Sequence, residues 1–147
     1  MTIYGVRRRV VVYVTRGAGS ERELLVFDHR GEGEPAASGT QVPAGGIDIG
    51  EAIDDAALRE VGEETGLSDD LRWVRSVAVE NGAADGGFPS VDTFVHVEYV
   101  GAPREPWDHV VSGDGEDAAM TFHCRFVALA EARQLAGNQS AHLDRVD

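Results

Sequence analysis

The chain has 147 residues, 42% of them hydrophobic, so one domain can bury roughly 68–70% of its unfolded surface. Its formal net charge is −13, and the only basic run, Arg7-Arg8-Arg9, alternates between faces if it lies on a strand; nucleic-acid backbone binding is disfavoured and no DNA partner is expected. A single cysteine, Cys124, excludes an internal disulfide, and the apolar run near the start is short and broken by arginine, so a soluble, cytoplasmic protein without membrane contact is expected.

In chain order, Val6 to Thr15 is β-rich and predicts a strand, and Glu23 to His29 predicts a second after the turn residues RGAGS. Gly31 to Thr40 reads as a loop. Gln41-Val42-Pro43 is a short extended piece leading into Ala44-Gly45-Gly46. Ala52 to Thr65 predicts a helix, with Asp48 as a candidate cap before it and Gly66 suited to the left-handed residue that ends a helix. Leu71 to Glu80 and Val91 to Val100 predict strands joined by a glycine-rich loop. PREPWDHVV, which carries Trp107, reads as loop. Ser112 to Ala119 is another, with Asp114, Glu116 and Asp117 set among glycines. Thr121 to Leu129 predicts a strand, because apolar Phe122, Cys124 and Phe126 alternate with His123 and Arg125. The tail, Ala130 to Val146, suggests short helices. With no repeat, long linker or boundary, one domain over residues 1–147 is expected. Interspersed strands and helices favour an α/β class, a mixed sheet covered by helices.

The predicted helix ends against electrostatics. Its last turns carry Glu60, Glu63 and Glu64, where the helix dipole repels carboxylates, and Glu60 faces like charges three and four residues on. At about 100° per residue, Glu64 lies about 40° to one side of Glu60 and Glu63 about 60° to the other. The three carboxylates share one face, while Leu58, Val61 and Thr65 take another flank that can pack on the sheet. A cluster of hard oxygen donors suits Mg²⁺ or Mn²⁺ rather than Zn²⁺, and a bound cation would turn the repulsion into attraction.

The stretch GGIDIGEAIDDAALREVGEETGL, Gly45 to Leu67, places Gly45, Glu51, Arg59-Glu60, Val61, Glu63-Glu64 and Gly66-Leu67 at fixed offsets. It resembles the signature of the Nudix hydrolases at every defined position, and the preceding QVPAG is similar to that family's usual lead-in. The resemblance implies an α/β/α sandwich with a mixed sheet and a loop–helix–loop catalytic motif. It implies divalent-metal-dependent hydrolysis of a nucleoside diphosphate linked to another moiety, a small-molecule nucleotide-type substrate, and a homodimer as an expected assembly. It makes Glu60 and Glu64 the main metal ligands, with Glu63 assisting and a backbone carbonyl of Gly45 or Ala44 completing the set. Arg59 would pair with Glu51 and orient the ligands. The catalytic residues would be Glu60, Glu64 and Glu116; the general base is either a signature glutamate, Glu60, or an acid on the later loop, of which Glu116 is preferred. The alternative reading is a catalytically silent nucleotide-binding module.

A nucleobase needs an aromatic face and a few polar groups. Trp107 is the first candidate for stacking, with Phe88, Tyr13 and Tyr99 also available. Arg30, with His29 beside it, is placed just ahead of the signature to contact phosphates; His109 and His123 are further candidates. Where many ADP-ribose-type members carry a proline this chain has Gly82, and where many diadenosine-polyphosphate-type members carry a tyrosine it has Ala83, Ala84 and Asp85.

Overall fold

The run RRRVVVYVTR forms β1, Arg7–Arg16, because its β-branched and aromatic residues suit a strand buried on both faces. The computed structural model describes residues 5–30, 39–83, 89–113, 115, 117–132 and 134–146, without the side chains of Arg30 and Ala83. Six further strands follow: β2 (Glu23–Arg30), β3 (Ala44–Gly46), β4 (Leu71–Ala83), β5 (Pro89–Tyr99), β6 (Trp107–Val110) and β7 (Thr121–Ala128). They make one mixed sheet in the order β4-β5-β1-β2-β7-β6, with β3 also paired to β1. β1 and β5 run parallel from Arg7↔Ser90 to Thr15↔Glu98, and the remaining pairings are antiparallel.

Strand alternation sorts the core into two layers. Val10, Val12 and Val14 pack with Leu25, Val95 and Val97 against Ala56, Ala57 and Val61 of the helix α1, Ile53–Thr65. Val11 and Tyr13 point the other way and pack with Leu24, Val26 and Phe94 under Leu129, Ala132, Leu143 and Val146. That second layer is therefore built from the C-terminal segment, whose described regular elements are the short 3-10 turns Leu129–Glu131 and Leu143–Val146.

Two local expectations change. Ala52, not Asp48, precedes the first turn of α1, and no side chain caps it. Asp48 instead opens a turn closed by the Glu51 N–H to its carbonyl oxygen, 3.0 Å. Trp107 begins a strand: Trp107↔Cys124 to Val110↔Thr121 pair β6 with β7, so the register of a neighbour overrides the two prolines before it. At the other end of α1, Gly66 takes φ +80°, and its N–H donates to Gly62 O at 2.9 Å. No helix among the described residues is long and apolar enough to cross a membrane.

Candidate active site

One edge of β1 is shared. Arg9–Val11 pair with β3, but β2 is met only at Thr15 and Arg16. Between those contacts the sheet splits, and the chain before β3 fills the fork: the Val12 N–H donates to Pro43 O at 2.8 Å, and Phe27 and Gln41 exchange backbone bonds of 2.9 Å. A cleft of about 510 Å³ opens at this split. The acids of α1 line it together with β3, Arg7 and Arg9 of β1, His29 at the end of β2, Val111, Ser112, Gly115, Asp117, Ala118 and Gln139.

The acidic wall is organised by one guanidinium. Arg59 Nε and Nη2 donate to the two oxygens of Glu51, both at 2.8 Å, in a bidentate fork, and Nη2 also reaches Gly46 O at 2.9 Å. Its Nη1 donates to Glu60 Oε1 at 2.9 Å and lies 3.4 Å from each Glu63 oxygen. The fork holds the Glu51 carboxyl down at about 2 and keeps Arg59 firmly charged. Glu60 is only 8% exposed and Glu64 6%. Burial pushes Glu60 up to about 7, with the Arg59 contact opposing it. Burial also drives Glu64 well above the usual carboxylate range, partly offset by the Ala44 N–H, which donates to Glu64 Oε1 at 2.8 Å. Glu60, Asp117 and Glu63 add repulsion at Glu64.

β3 approaches Glu60 closely: a Cβ at Gly45 would sit 2.3 Å from the Glu60 carboxyl carbon, so any larger residue there would displace the carboxyl from its place beside Arg59. The end of α1 is fixed by the start of the next loop and by β6. The Ser112 N–H donates to Glu63 O at 3.0 Å, His109 Nε2 contacts the same oxygen at 3.1 Å, and Trp107 Nε1 donates to Thr65 O at 2.7 Å.

These donors fit a hard divalent cation in their chemistry. Burial disfavours ionisation of both Glu60 and Glu64, a cation beside them would offset that cost, and the neighbouring Arg59 guanidinium is already divided among Glu51, Glu60, Glu63 and Gly46 O. Among the described residues, no three Asp, Glu, His or Cys side chains yet close around a common point, so the fit is one of donor type and burial.

The cleft brings together Gly45, Arg59, Glu60, Glu63 and Glu64 of the predicted site, with Glu51 behind Arg59. Glu116, Asp114 and Phe88 lie outside the described residues, although Gly115 and Asp117 line the cleft. For Arg30 the structure gives the backbone pairing to Thr121. His29 does reach the cleft and stacks on Phe122, ring centroids 4.7 Å apart. Trp107 is not on the cleft wall: its indole anchors the end of α1, and Arg104 covers the ring at 4.1 Å. His109 is spent on the helix end, and His123 pairs with Asp108 at 2.8 Å on the far strands. Tyr13 is buried in the core and Tyr99 bonds Ala102 O.

Three cleft residues are not marked by the sequence motifs. Arg7 and Arg9 are two apart on a strand and so share a face, a signal present in the same alternation that argues against a three-arginine patch. Gln139 comes from the C-terminal segment, and its Oε1 accepts the Val42 N–H at 2.9 Å. No local pattern marks it.

The comparisons with known proteins agree with this geometry. A family model described as the NUDIX domain matches residues 5–145. An RNA pyrophosphohydrolase of Erythrobacter litoralis (strain HTCC2594) is 46% identical over 52 residues, 35% of this chain, and the match spans about a third of that relative's length, 32%. The fold is similar to a C. elegans Ap4A hydrolase in a binary complex, with a TM-score of 0.69 at 17% identity over 96% of this chain and 95% of that one. It is also similar to the NUDIX domain of Shewanella oneidensis NrtR complexed with ADP ribose, with a TM-score of 0.63 at 12% identity over 98% and 88%. A family match that spans nearly the whole chain, and encloses the split in the sheet with its buried glutamates, establishes that the chain belongs to the Nudix hydrolase family.

Proposed function

We propose that this chain hydrolyses a phosphorus anhydride in a nucleoside diphosphate linked to another moiety, using Mg²⁺ or Mn²⁺ held by Glu60, Glu63, Glu64 and the Gly45 carbonyl. The observation that carries this reading is the buried pair Glu60 and Glu64, one helical turn apart, both with ionisation disfavoured by their surroundings. Such a pair is costly unless a cation is part of its working state. When bound, the cation neutralises the phosphates, polarises the P–O bond and acidifies an attacking water.

The chain's own groups have separable tasks. Glu51 fixes Arg59, and Arg59 fixes Glu60 and leans on Glu63, so the acidic wall is positioned before substrate arrives. The close approach of β3 lets a backbone carbonyl and the substrate come near the carboxylates. In the reaction, a water oxygen bonds to phosphorus, the bridging P–O bond breaks, and the second phosphate leaves as an anion. The water proton passes to a carboxylate. Glu116, in the acidic stretch that follows Val111 in the sequence, is the preferred acceptor, and Glu60, which also ligates the cation, is the alternative. Likeness to proteins named RNA pyrophosphohydrolase and Ap4A hydrolase supports a nucleotide-type substrate. The net charge of −13 favours a small nucleotide over a long nucleic acid.

The test is a turnover screen with Mg²⁺ and with Mn²⁺ over nucleoside triphosphates, oxidised nucleotides, ADP-ribose, nucleotide sugars, dinucleoside polyphosphates and capped RNA, with products identified by mass. One dominant, metal-dependent activity that is abolished in Glu64→Gln is expected. Turnover that survives Glu64→Gln would overturn the assignment, and binding without turnover across the panel would favour a silent nucleotide-binding module.

A further inference from the structure

Arg7 and Arg9 leave β1 on the face opposite α1, the face of Val11 and Tyr13, yet both line the same cleft as the helix acids. The two walls meet because the sheet is split at this point. Within β3 a Cβ on Gly45 would point into the Glu60 carboxyl, whereas one on the next residue, Gly46, would lie 3.9 Å from Arg7 Nη2. The cleft thus wraps the edge of β3, with carboxylates on one side and guanidinium groups on the other. The two adjacent glycines of β3 face the two walls in turn, Gly45 the carboxylates and Gly46 Arg7.

The arginines differ in how they are engaged. Arg59 is divided among three glutamates and a carbonyl. Arg9 has a charge neighbour, Asp92, at 3.9 Å, beyond hydrogen-bonding distance. Asp92 is 2% exposed and is itself fixed by the Ser90 hydroxyl at 3.0 Å and by Asn138 Nδ2 at 3.1 Å, so it steadies Arg9 without closing the guanidinium fork. The exposed side chain of Arg7 makes no ion pair or hydrogen bond among the described residues. In a chain with 26 acidic and 13 basic residues, a cleft that leaves a guanidinium without a carboxylate partner is shaped for an anion from outside.

We propose that Arg7 and Arg9 form a phosphate subsite that grips an anionic group of the substrate beyond the linkage being cut. Taking that group as part of the substrate rests on the hydrolytic reading above; the subsite itself rests on the two arginines. The acidic wall and its cation would act on one phosphorus, and the arginine wall would hold a neighbouring phosphate across the edge of β3. The enzyme would then favour substrates that carry a phosphate on each side of that edge.

The experiment uses the full chain free of metal, titrated with inorganic phosphate and followed by NMR of the arginine Nε–H groups. Saturable shifts at Arg7 and Arg9 are expected. Phosphate affinity should fall at least roughly tenfold in Arg7→Gln, the scale of one charge-assisted hydrogen bond, and should not fall in Glu64→Gln. Undiminished affinity in Arg7→Gln, or no saturable shift at either arginine, overturns the subsite. Neither metal nor turnover enters this measurement. A protein that binds phosphate here and hydrolyses nothing would keep the subsite and remove the proposed reaction, and an active enzyme with no shift at these arginines would do the reverse.

Discussion

Glu60→Gln in the metal-free protein should make the fold more stable at pH 8, although it removes a charge partner of Arg59. The Glu60 carboxyl is raised from 4.5 to about 7, chiefly by burial. A folded-state value above the unfolded one means that the folded chain holds the proton more tightly. The associated stability is fully present below about 4.5 and is lost as pH rises through about 7. At 1.36 kcal/mol per pH unit the difference is worth about 3 kcal/mol, most of it lost between pH 5 and pH 8. Gln retains an oxygen to accept from Arg59 Nη1 and cannot ionise, so the variant escapes this loss. The Glu51 fork has the opposite sign, but its window lies between 4.5 and about 2, below the range compared. His96, lowered by burial, also opposes the trend, gaining stability as pH rises, but it is common to both proteins and cancels in their difference. Urea unfolding in a chelator at pH 5 and pH 8 measures the effect. The two proteins should be close at pH 5, and at pH 8 the variant should be more stable by about 2–3 kcal/mol. Mg²⁺ should then stabilise the wild type more than the variant, since a ligand that binds only the folded state adds to its stability. Equal stability at pH 8 would refute the claim that Glu60 is held against its ionised form.

Other substitutions separate roles within the site. Gly45→Ala puts a methyl 2.3 Å from the Glu60 carboxyl carbon; it should cost about 1–3 kcal/mol in thermal or urea unfolding and lower turnover roughly tenfold or more by displacing that carboxylate. Normal turnover would show that the approach of β3 to Glu60 is dispensable. Trp107→Phe removes the indole bond to Thr65 O and should cost about 1 kcal/mol of stability with KM unchanged, because the ring is off the cleft wall. A large rise in KM at unchanged stability would restore Trp107 as a stacking residue.

Much of the site is legible in the sequence because its chemistry is local. Glu60, Glu63 and Glu64 share a helix face by periodicity alone, and Arg59 and Glu51 lie within the same motif. Gly66 ends the helix where its freedom at positive φ is needed. β1 and β2 are legible from their runs of β-branched and apolar residues and β7 from apolar alternation, with boundaries shifted by one residue. β6 is not, because Pro103 and Pro106 argue for loop, while its pairing with β7 is a long-range fact that no window contains. Asp48 is misplaced as a cap because the Asp48–Glu51 turn satisfies its carbonyl before the helix begins. Gln139 and the arginine wall cannot be placed without knowing that the sheet divides at β3 and that the C-terminal segment returns to Val42.

The most direct test of the acidic wall is a Mn²⁺ titration followed by electron paramagnetic resonance, on the wild type and on Glu64→Gln. Saturable binding by the wild type, weakened roughly tenfold or more in the variant, is expected for a carboxylate that ligates the ion. Equal Mn²⁺ affinity in the two proteins would contradict the assignment of Glu64, and no saturable binding by the wild type would contradict the metal site itself.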